Sequence, residues 1–190
     1  MINVNKQSFE YIAFKNAIEN VIFNFQLKGL VDDNRIQVDD CTLFFNMHDS
    51  YKSYFLKIDV FNNINSFKHN TINCIKISIC NFILKTNDLF RDSLGRGPDL
   101  LNFNSRDEKI YFIIRVMRNC IAHNDVWEIN NHYARSVLIN EIGLFDFTNL
   151  NKIQFDIKHI NGIDGLYKII YTCLEIFDSL NLMPQHEIII

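Results

Sequence analysis

The sequence predicts a mainly α-helical protein. Three observations favour this class: only two prolines and six glycines occur in 190 residues, apolar residues recur at helical spacing in several long segments, and one segment opens with a helix-capping pattern. We expect residues 1–190 to form a single domain, because a chain of this length builds one core more readily than two. A small β-hairpin near residues 145–160 is the expected addition to this helical fold.

The composition excludes several classes of protein. Hydrophobic residues make up 48% and charged residues 22%, and the formal charge of -3 is too low for a general polyanion-binding surface, so any nucleic-acid contact needs a local basic patch. The five cysteines form no CxxC pair, which favours buried thiols over disulfides or a zinc site. No signal-peptide pattern and no apolar run of bilayer-spanning length occurs, so we expect a cytoplasmic protein without membrane association.

Two helices are predicted in the N-terminal half. Residues 6–27 place apolar side chains near helical spacing, and Gly29 is the expected end of this helix. Residues 41–64 are ambiguous between a short strand and a helix. Residues 65–90 again follow helical spacing, although their β-branched residues favour helix less strongly.

A loop and a capped helix follow. Residues 91–105 contain Gly-Arg-Gly and Pro98, which predict a loop, but they lack the lysine and hydroxyl residue of a phosphate-binding loop. Ser105 and Glu108 stand in the S-x-x-E spacing that satisfies free backbone donors at a helix start. We therefore expect a helix over residues 106–123 or 106–124.

The C-terminal part is expected to contain the hairpin and a last helix. Residues 154–159 alternate polar and apolar side chains, as in a strand with one buried face. Residues 163–180 carry apolar side chains at helical spacing, which predicts the final helix.

The predicted helix over residues 106–123 has two different faces. Its core face contains Ile110, Ile113, Ile114, Met117, Cys120 and Ile121. Its polar face contains Glu108, Tyr111, Arg115, Arg118, Asn119, Ala122 and His123, with Phe112 as an apolar member. Basic and titratable residues thus share one side of an otherwise apolar helix.

Arg118, His123 and Asn119 are the candidate catalytic residues on this polar face. Arg118 and His123 lie about 140° apart around the helix axis and ~7.5 Å apart along it, so the small Ala122 leaves room for a groove between them. A guanidinium offers a fork of donors to a phosphate, and an imidazole transfers protons near neutral pH. Asn119 could orient either partner, and this chemistry needs no metal or other cofactor.

Weaker candidates and alternatives accompany this interpretation. Tyr111 and Arg115 share the polar face as candidate substrate-binding residues, but they could equally be packing residues. His123 could also simply help to end a solvated helix. Trp127 is expected to be a core anchor rather than a platform for stacking bases.

The segment Arg118-Asn-Cys-Ile-Ala-His123 resembles the R-x(4–6)-H motif of the HEPN family, including the polar residue after the arginine. The resemblance implies an HEPN-like fold, an up-and-down bundle of four to six helices, with metal-independent endoribonuclease activity. In this activity a ribose 2′-hydroxyl attacks the adjacent phosphate, Arg118 binds that phosphate, His123 transfers protons and Asn119 supports both. After His123 the chain continues with Asn124 and Asp125, which departs from the H-x-Y form of some toxin subgroups.

The same resemblance implies partners. RNA is the implied substrate, a homodimer brings two motifs to one cleft, and an antitoxin or another defence-system protein is the implied partner of a toxin or antiphage effector. Two alternatives stay open. One is a non-catalytic HEPN-like bundle that binds RNA, a nucleotide or a protein through the same face, and the other is a helical interaction module unrelated to nucleic acid.

Overall fold

Helices dominate the computed structural model of the chain, which describes residues 6–36, 64–94, 105–129 and 134–180. The helices of these ranges are α1 (Lys6–Asp32), α2 (Ile64–Leu94), α3 (Arg106–Ala122) and α4 (Gly162–Ser179). Two short strands, β1 (Ser136–Ile139) and β2 (Gly143–Asp146), and one turn of 3-10 helix (Ile157–Ile160) lie between α3 and α4. The prediction of a mainly helical fold is confirmed.

Some sequence-based predictions concern residues outside the described ranges. These are most of the ambiguous segment 41–64 and the loop that contains Gly95-Arg96-Gly97 and Pro98. Within the described ranges, no helix has both the length and the apolar character needed to cross a membrane.

Two predicted helix ends are wrong. Helix α1 continues through Gly29 to Asp32. It ends where Asn34 adopts the left-handed conformation, with φ 56°, a backbone state that asparagine tolerates well. Helix α2 extends to Leu94, into the predicted loop, because neither glycine nor proline occurs in the chain between residue 64 and Gly95.

The predicted small β-hairpin is present, but it lies at residues 136–146 and not near residues 145–160. Strands β1 and β2 are antiparallel, with Val137 opposite Phe145 and Leu138 opposite Leu144. The alternating segment 154–159 cannot continue as a strand, because the Asp156 carboxylate accepts the N–H of Lys158 at 2.9 Å and caps the 3-10 turn. Local capping therefore prevails over polar–apolar alternation there.

The chain forms two compact units, Ala17–Ile79 and Met1–Asn16 with Cys80–Ile190. The first unit buries Ala17, Ile18, Val21, Val31, Phe67, Ile75 and Ile79. The second unit has an aromatic core, in which Phe177 contacts Phe90 at 4.6 Å and Phe14 at 5.0 Å between ring centroids. All the candidate site residues belong to this second unit.

Helix α3 runs through the core of the second unit. The Ser105 hydroxyl accepts the N–H of Glu108 at 3.2 Å, and the Glu108 carboxylate accepts the N–H of Ser105 at 3.0 Å, which confirms the predicted capping box. The predicted core face is confirmed for Ile110, Ile113, Ile114, Met117 and Cys120, all at most 1% exposed. Tyr111 and Phe112 are buried as well, so the polar face is not continuous: the middle of α3 is enclosed on both sides.

Helix α4 begins very close to the preceding 3-10 turn. A Cβ atom at Gly165 would lie 1.9 Å from the carbonyl oxygen of Ile160, a distance no real side chain can adopt. Gly165 therefore permits the sharp corner between the 3-10 turn and α4.

Candidate functional site

The last two turns of α3 bring the helix from the core to the surface. Arg118 and His123 are exposed, and Arg115 and Asn119 are half-buried. Arg115, Asn119 and His123 follow one another at intervals of four residues, so they form a stripe along the helix, and Arg118 precedes Asn119 beside it. Four of the five candidate residues thus share one accessible end of α3.

Tyr111, the fifth candidate, lies beneath this surface. It is 3% exposed, and its ring stacks on that of Phe90 with centroids 5.0 Å apart. Burial raises the pKa of the Tyr111 phenol, and the nearby guanidinium groups of Arg115 and Arg91 lower it again in part. Tyr111 therefore lies in the core, one helical turn before Arg115.

His123 is the residue at which α3 ends. It adopts φ -109° and ψ 40°, and its N–H donates to the carbonyl of Cys120 at 3.1 Å. Its own carbonyl accepts the N–H of Val126 at 3.2 Å. The backbone of His123 is therefore held on both sides while its imidazole is exposed.

The chain reverses immediately after His123. Asn124 and Asp125 both adopt the left-handed conformation, with φ 57° and 60°, a state open to asparagine and aspartate at lower cost than to most other residues. The post-helix segment (residues 125–129) then forms backbone hydrogen bonds of 2.7, 2.8 and 2.9 Å with residues 152–155. This pairing fixes the chain that leaves the candidate site.

Trp127 anchors the post-helix segment in the core, as predicted. It is fully buried, and its ring centroid lies 5.5 Å from that of Phe155 and 5.6 Å from that of Phe147. Its indole N–H donates to Nδ1 of His159 at 3.0 Å. Trp127 thus fixes the chain in the core four residues after His123.

The reversal brings Glu128 towards His123. The pKa of the Glu128 carboxyl is lowered, first by its hydrogen bond from Lys152 and to a smaller degree by the charge of His123. Sequence reasoning missed Glu128, because it belongs to no motif. The sequence Asn124-Asp125 could have indicated the chain reversal, since both residue types tolerate the left-handed conformation that turns the chain back towards His123.

Cys120 lies inside the motif but cannot act as a nucleophile at neutral pH. Burial raises the pKa of its thiol to about 12, with further increases from Asp125 and from the neighbouring Cys80. Only the thiolate is nucleophilic, so Cys120 has a packing role. The reactive groups of this surface are the guanidinium, amide and imidazole groups of Arg118, Asn119 and His123.

This arrangement can bind an anion and move a proton. The guanidinium can donate two N–H groups to a phosphate, and the imidazole can give or take a proton beside it. In the described part of the chain, no group of three or more histidine, cysteine, aspartate or glutamate side chains is placed to hold a metal ion.

No protein-family model matches the chain, and no curated protein and no solved structure is significantly similar to it. The resemblance to the HEPN family consequently rests on the six residues from Arg118 to His123. The structure adds to those residues a helix that ends at the histidine and a surface that exposes both motif side chains.

Proposed function

We propose that the protein is a metal-independent endoribonuclease of the HEPN type that acts in the cytoplasm as a toxin or antiphage effector. The observation that carries the proposal is the exposure of Arg118 and His123 at the same end of a helix whose middle is buried. Asn119 lies next to Arg118 in the chain and one turn before His123, within reach of a group bound by either residue.

The proposed reaction is a transesterification of RNA. The ribose 2′-oxygen attacks the adjacent phosphorus, the bond from phosphorus to the 5′-oxygen breaks, and a 2′,3′-cyclic phosphate and a 5′-hydroxyl result. One proton leaves the 2′-hydroxyl and one reaches the departing 5′-oxygen. Arg118 stabilises the negative charge that develops on the phosphate, and His123 carries out one of the proton transfers.

A homodimer would complete this chemistry. The attacking and departing oxygens lie on opposite sides of the phosphorus, so one imidazole cannot serve both. A second copy, with its own Arg118 and His123, supplies the other proton-transfer group. Catalysis needs the reacting groups held within narrow limits of distance and angle. The fixed backbone of His123 supports the proposal, because it would hold the imidazole of each copy in position for proton transfer.

The test is cleavage of an end-labelled RNA in EDTA by the wild type, His123→Ala, Arg118→Ala and the control His69→Ala. His69 is also exposed but lies in the other unit. We expect His69→Ala to cleave as the wild type does, and His123→Ala to cleave ~10²-fold or more slowly, with cyclic phosphate ends on the wild-type products. Equal cleavage by His123→Ala, or none by the folded wild type, would contradict the proposal.

The interaction of Glu128 with His123 favours a second candidate function. Its carboxylate, which is paired with Lys152, also interacts electrostatically with His123, so the imidazole already has an acidic neighbour within the protein. The alternative is a non-catalytic HEPN-like helical bundle that binds RNA, a nucleotide or a protein partner through the same surface. Binding that survives His123→Ala and is lost in Arg118→Ala, without any product, would support this second function.

A further inference from the structure

A groove lies at the opposite end of α3 from His123. Its volume is about 310 Å³, and its lining includes Arg106, Glu141, Tyr167, Tyr171, Thr172 and Glu175. The first turn of α3, the loop of the β-hairpin and the outer face of α4 thus meet here. Since α3 rises ~1.5 Å per residue, roughly 25 Å of helix separates the groove from the candidate ribonuclease site.

The charge of Arg106 is paired with a carboxylate of the protein. Its guanidinium donates to the Thr172 hydroxyl at 3.3 Å and to the Glu175 carboxylate. The pKa of Arg106 is raised, first by that bond to Glu175, against the opposing effect of burial, and then by the charges of Glu141 and Asp107. Three carboxylates, those of Glu175, Glu141 and Asp107, therefore act on the single guanidinium of Arg106.

The other cation of the groove is also neutralised. The ammonium of Lys168 pairs with the Asp164 carboxylate at 2.8 Å. Two cations and two carboxylates line the groove, and with Arg106 paired to Glu175 and Lys168 paired to Asp164, the Glu141 carboxylate is the lining charge that these pairs leave over. The groove thus offers a carboxylate to a cation, and it offers neither of its own cations to the phosphates of a nucleic acid.

Aromatic rings form the accessible wall of the groove. Tyr171 is 64% exposed and Tyr167 is 37% exposed, and because they are four residues apart they share one face of α4. One turn earlier, Ile163 continues this face and is 48% exposed. The faces of tyrosine rings attract organic cations, and adjacent aliphatic residues suit an apolar neighbour of such a cation.

We infer that this groove binds a protein partner through an arginine or lysine side chain flanked by apolar residues. The cation lies against the ring of Tyr171 and pairs with the carboxylate of Glu141. The aliphatic side chain of Ile163, beyond the groove, receives an apolar neighbour of the cation. The inference does not depend on the ribonuclease proposal, because no residue of the Arg118–His123 surface takes part.

The test is an NMR titration of the full chain with the peptide acetyl-Leu-Arg-Leu-amide. The matched peptide carries citrulline, which has nearly the shape of arginine but no charge. We expect the arginine peptide to shift the resonances of Tyr167, Tyr171 and Ile142 saturably, and the citrulline peptide to bind more weakly.

Two variants and two controls locate the site. We expect Tyr171→Ala and Glu141→Gln each to weaken binding of the arginine peptide about threefold, the size of an exposed cation–aromatic contact. Phe23→Ala, which removes a ring 61% exposed in the other unit, and Glu19→Gln, which removes an exposed carboxylate there, should leave binding unchanged.

Four outcomes would overturn the inference. Equal binding of both peptides would show that charge is not recognised, and saturable shifts of the same tyrosines by uridine monophosphate would indicate an RNA surface. A solution mass that falls from dimer to monomer in Tyr171→Ala would assign the groove to a second copy. Shifts that do not saturate would show that the peptide has no site.

Discussion

The indole N–H of Trp127 and the backbone N–H of Asp156 donate to the same atom, Nδ1 of His159, at 3.0 and 3.1 Å. In the neutral imidazole, Nδ1 is therefore the acceptor and Nε2 carries the proton. The bond from Trp127 joins the post-helix segment to the turn before α4. The position of His123 thus depends on a histidine that lies far from it in the sequence.

Replacing His159 should destabilise the protein. His159→Ala leaves the buried indole N–H of Trp127 without its acceptor, and we expect a loss of about 1–3 kcal/mol in the free energy of unfolding. Urea unfolding followed by the fluorescence of Trp127, the single tryptophan, measures it. The exposed His69→Ala is the control, with a change within about 0.5 kcal/mol. Equal stability of the two variants would refute the role of the bond.

The left-handed turn after His123 should discriminate between substitutions at Asn124. Asn124→Val places a branched side chain at φ 57° and should cost about 1–2 kcal/mol more than Asn124→Gly, which has no Cβ to clash. Thermal unfolding gives the stabilities, and the NMR signals of the His123 ring report whether the turn has moved. If Asn124→Gly were the more damaging change, the turn would not be left-handed in solution.

The hairpin carboxylate Asp146 should titrate below the ordinary range. The Thr148 hydroxyl donates to it at 2.6 Å and the Thr148 N–H at 3.0 Å, and these bonds, with one from Ser136, lower the pKa of Asp146. Its contribution to stability is therefore present above the pKa of the unfolded chain and is lost as pH falls through the lowered folded pKa.

Thr148→Val tests this because it removes the largest cause and keeps the backbone N–H. We expect the pKa of Asp146 to rise towards its ordinary value, measured by the carboxyl ¹³C shift against pH. Ser136→Ala, which removes the smaller contribution, should raise it less. The reverse order would contradict the assignment.

The thiol of Cys120 should be inert while the protein is folded. Its pKa of about 12 exceeds that of an unfolded cysteine, so its contribution to stability is complete below the unfolded value and is lost as pH rises from there towards 12. Peptide-resolved alkylation with iodoacetamide at neutral pH should label the exposed Cys74 before the buried Cys120 and Cys173.

Cys120→Ala is the companion variant. The free energy of unfolding of this variant should fall less steeply than that of the wild type as pH rises in the alkaline range. Both are measured with a reducing agent present. Labelling of native Cys120 at the rate of Cys74 would show that the thiol is accessible and would remove the basis of the pH prediction.

Local patterns predicted the parts of the fold that local interactions determine. The capping box of Ser105 and Glu108, and the core face from Ile110 to Cys120, follow from spacings within α3 and are confirmed. The burial of Tyr111 and the approach of Glu128 to His123 depend on Phe90 and on a chain reversal, so spacing along one helix could not reveal them. The hairpin was misplaced because alternation marks a strand without identifying its partner.

The groove at Arg106 was beyond sequence reasoning for a related reason. The residues that line it belong to α3, the loop of the β-hairpin and α4, which meet only in the folded chain. The spacing of Tyr167 and Tyr171 in the sequence is compatible with core positions as well as surface positions, and only the fold shows that both rings are exposed.

The tight corner at Gly165 offers a way to recognise relatives of this chain. No side chain, not even that of alanine, fits between this position and the Ile160 carbonyl, so a homologue that retains the corner must carry glycine there. Asn161, with φ 66°, precedes that glycine by four positions and constrains the same bend. This Asn-x-x-x-Gly signature is independent of any arginine or histidine, so it could identify distant sequences in which the motif itself has been lost.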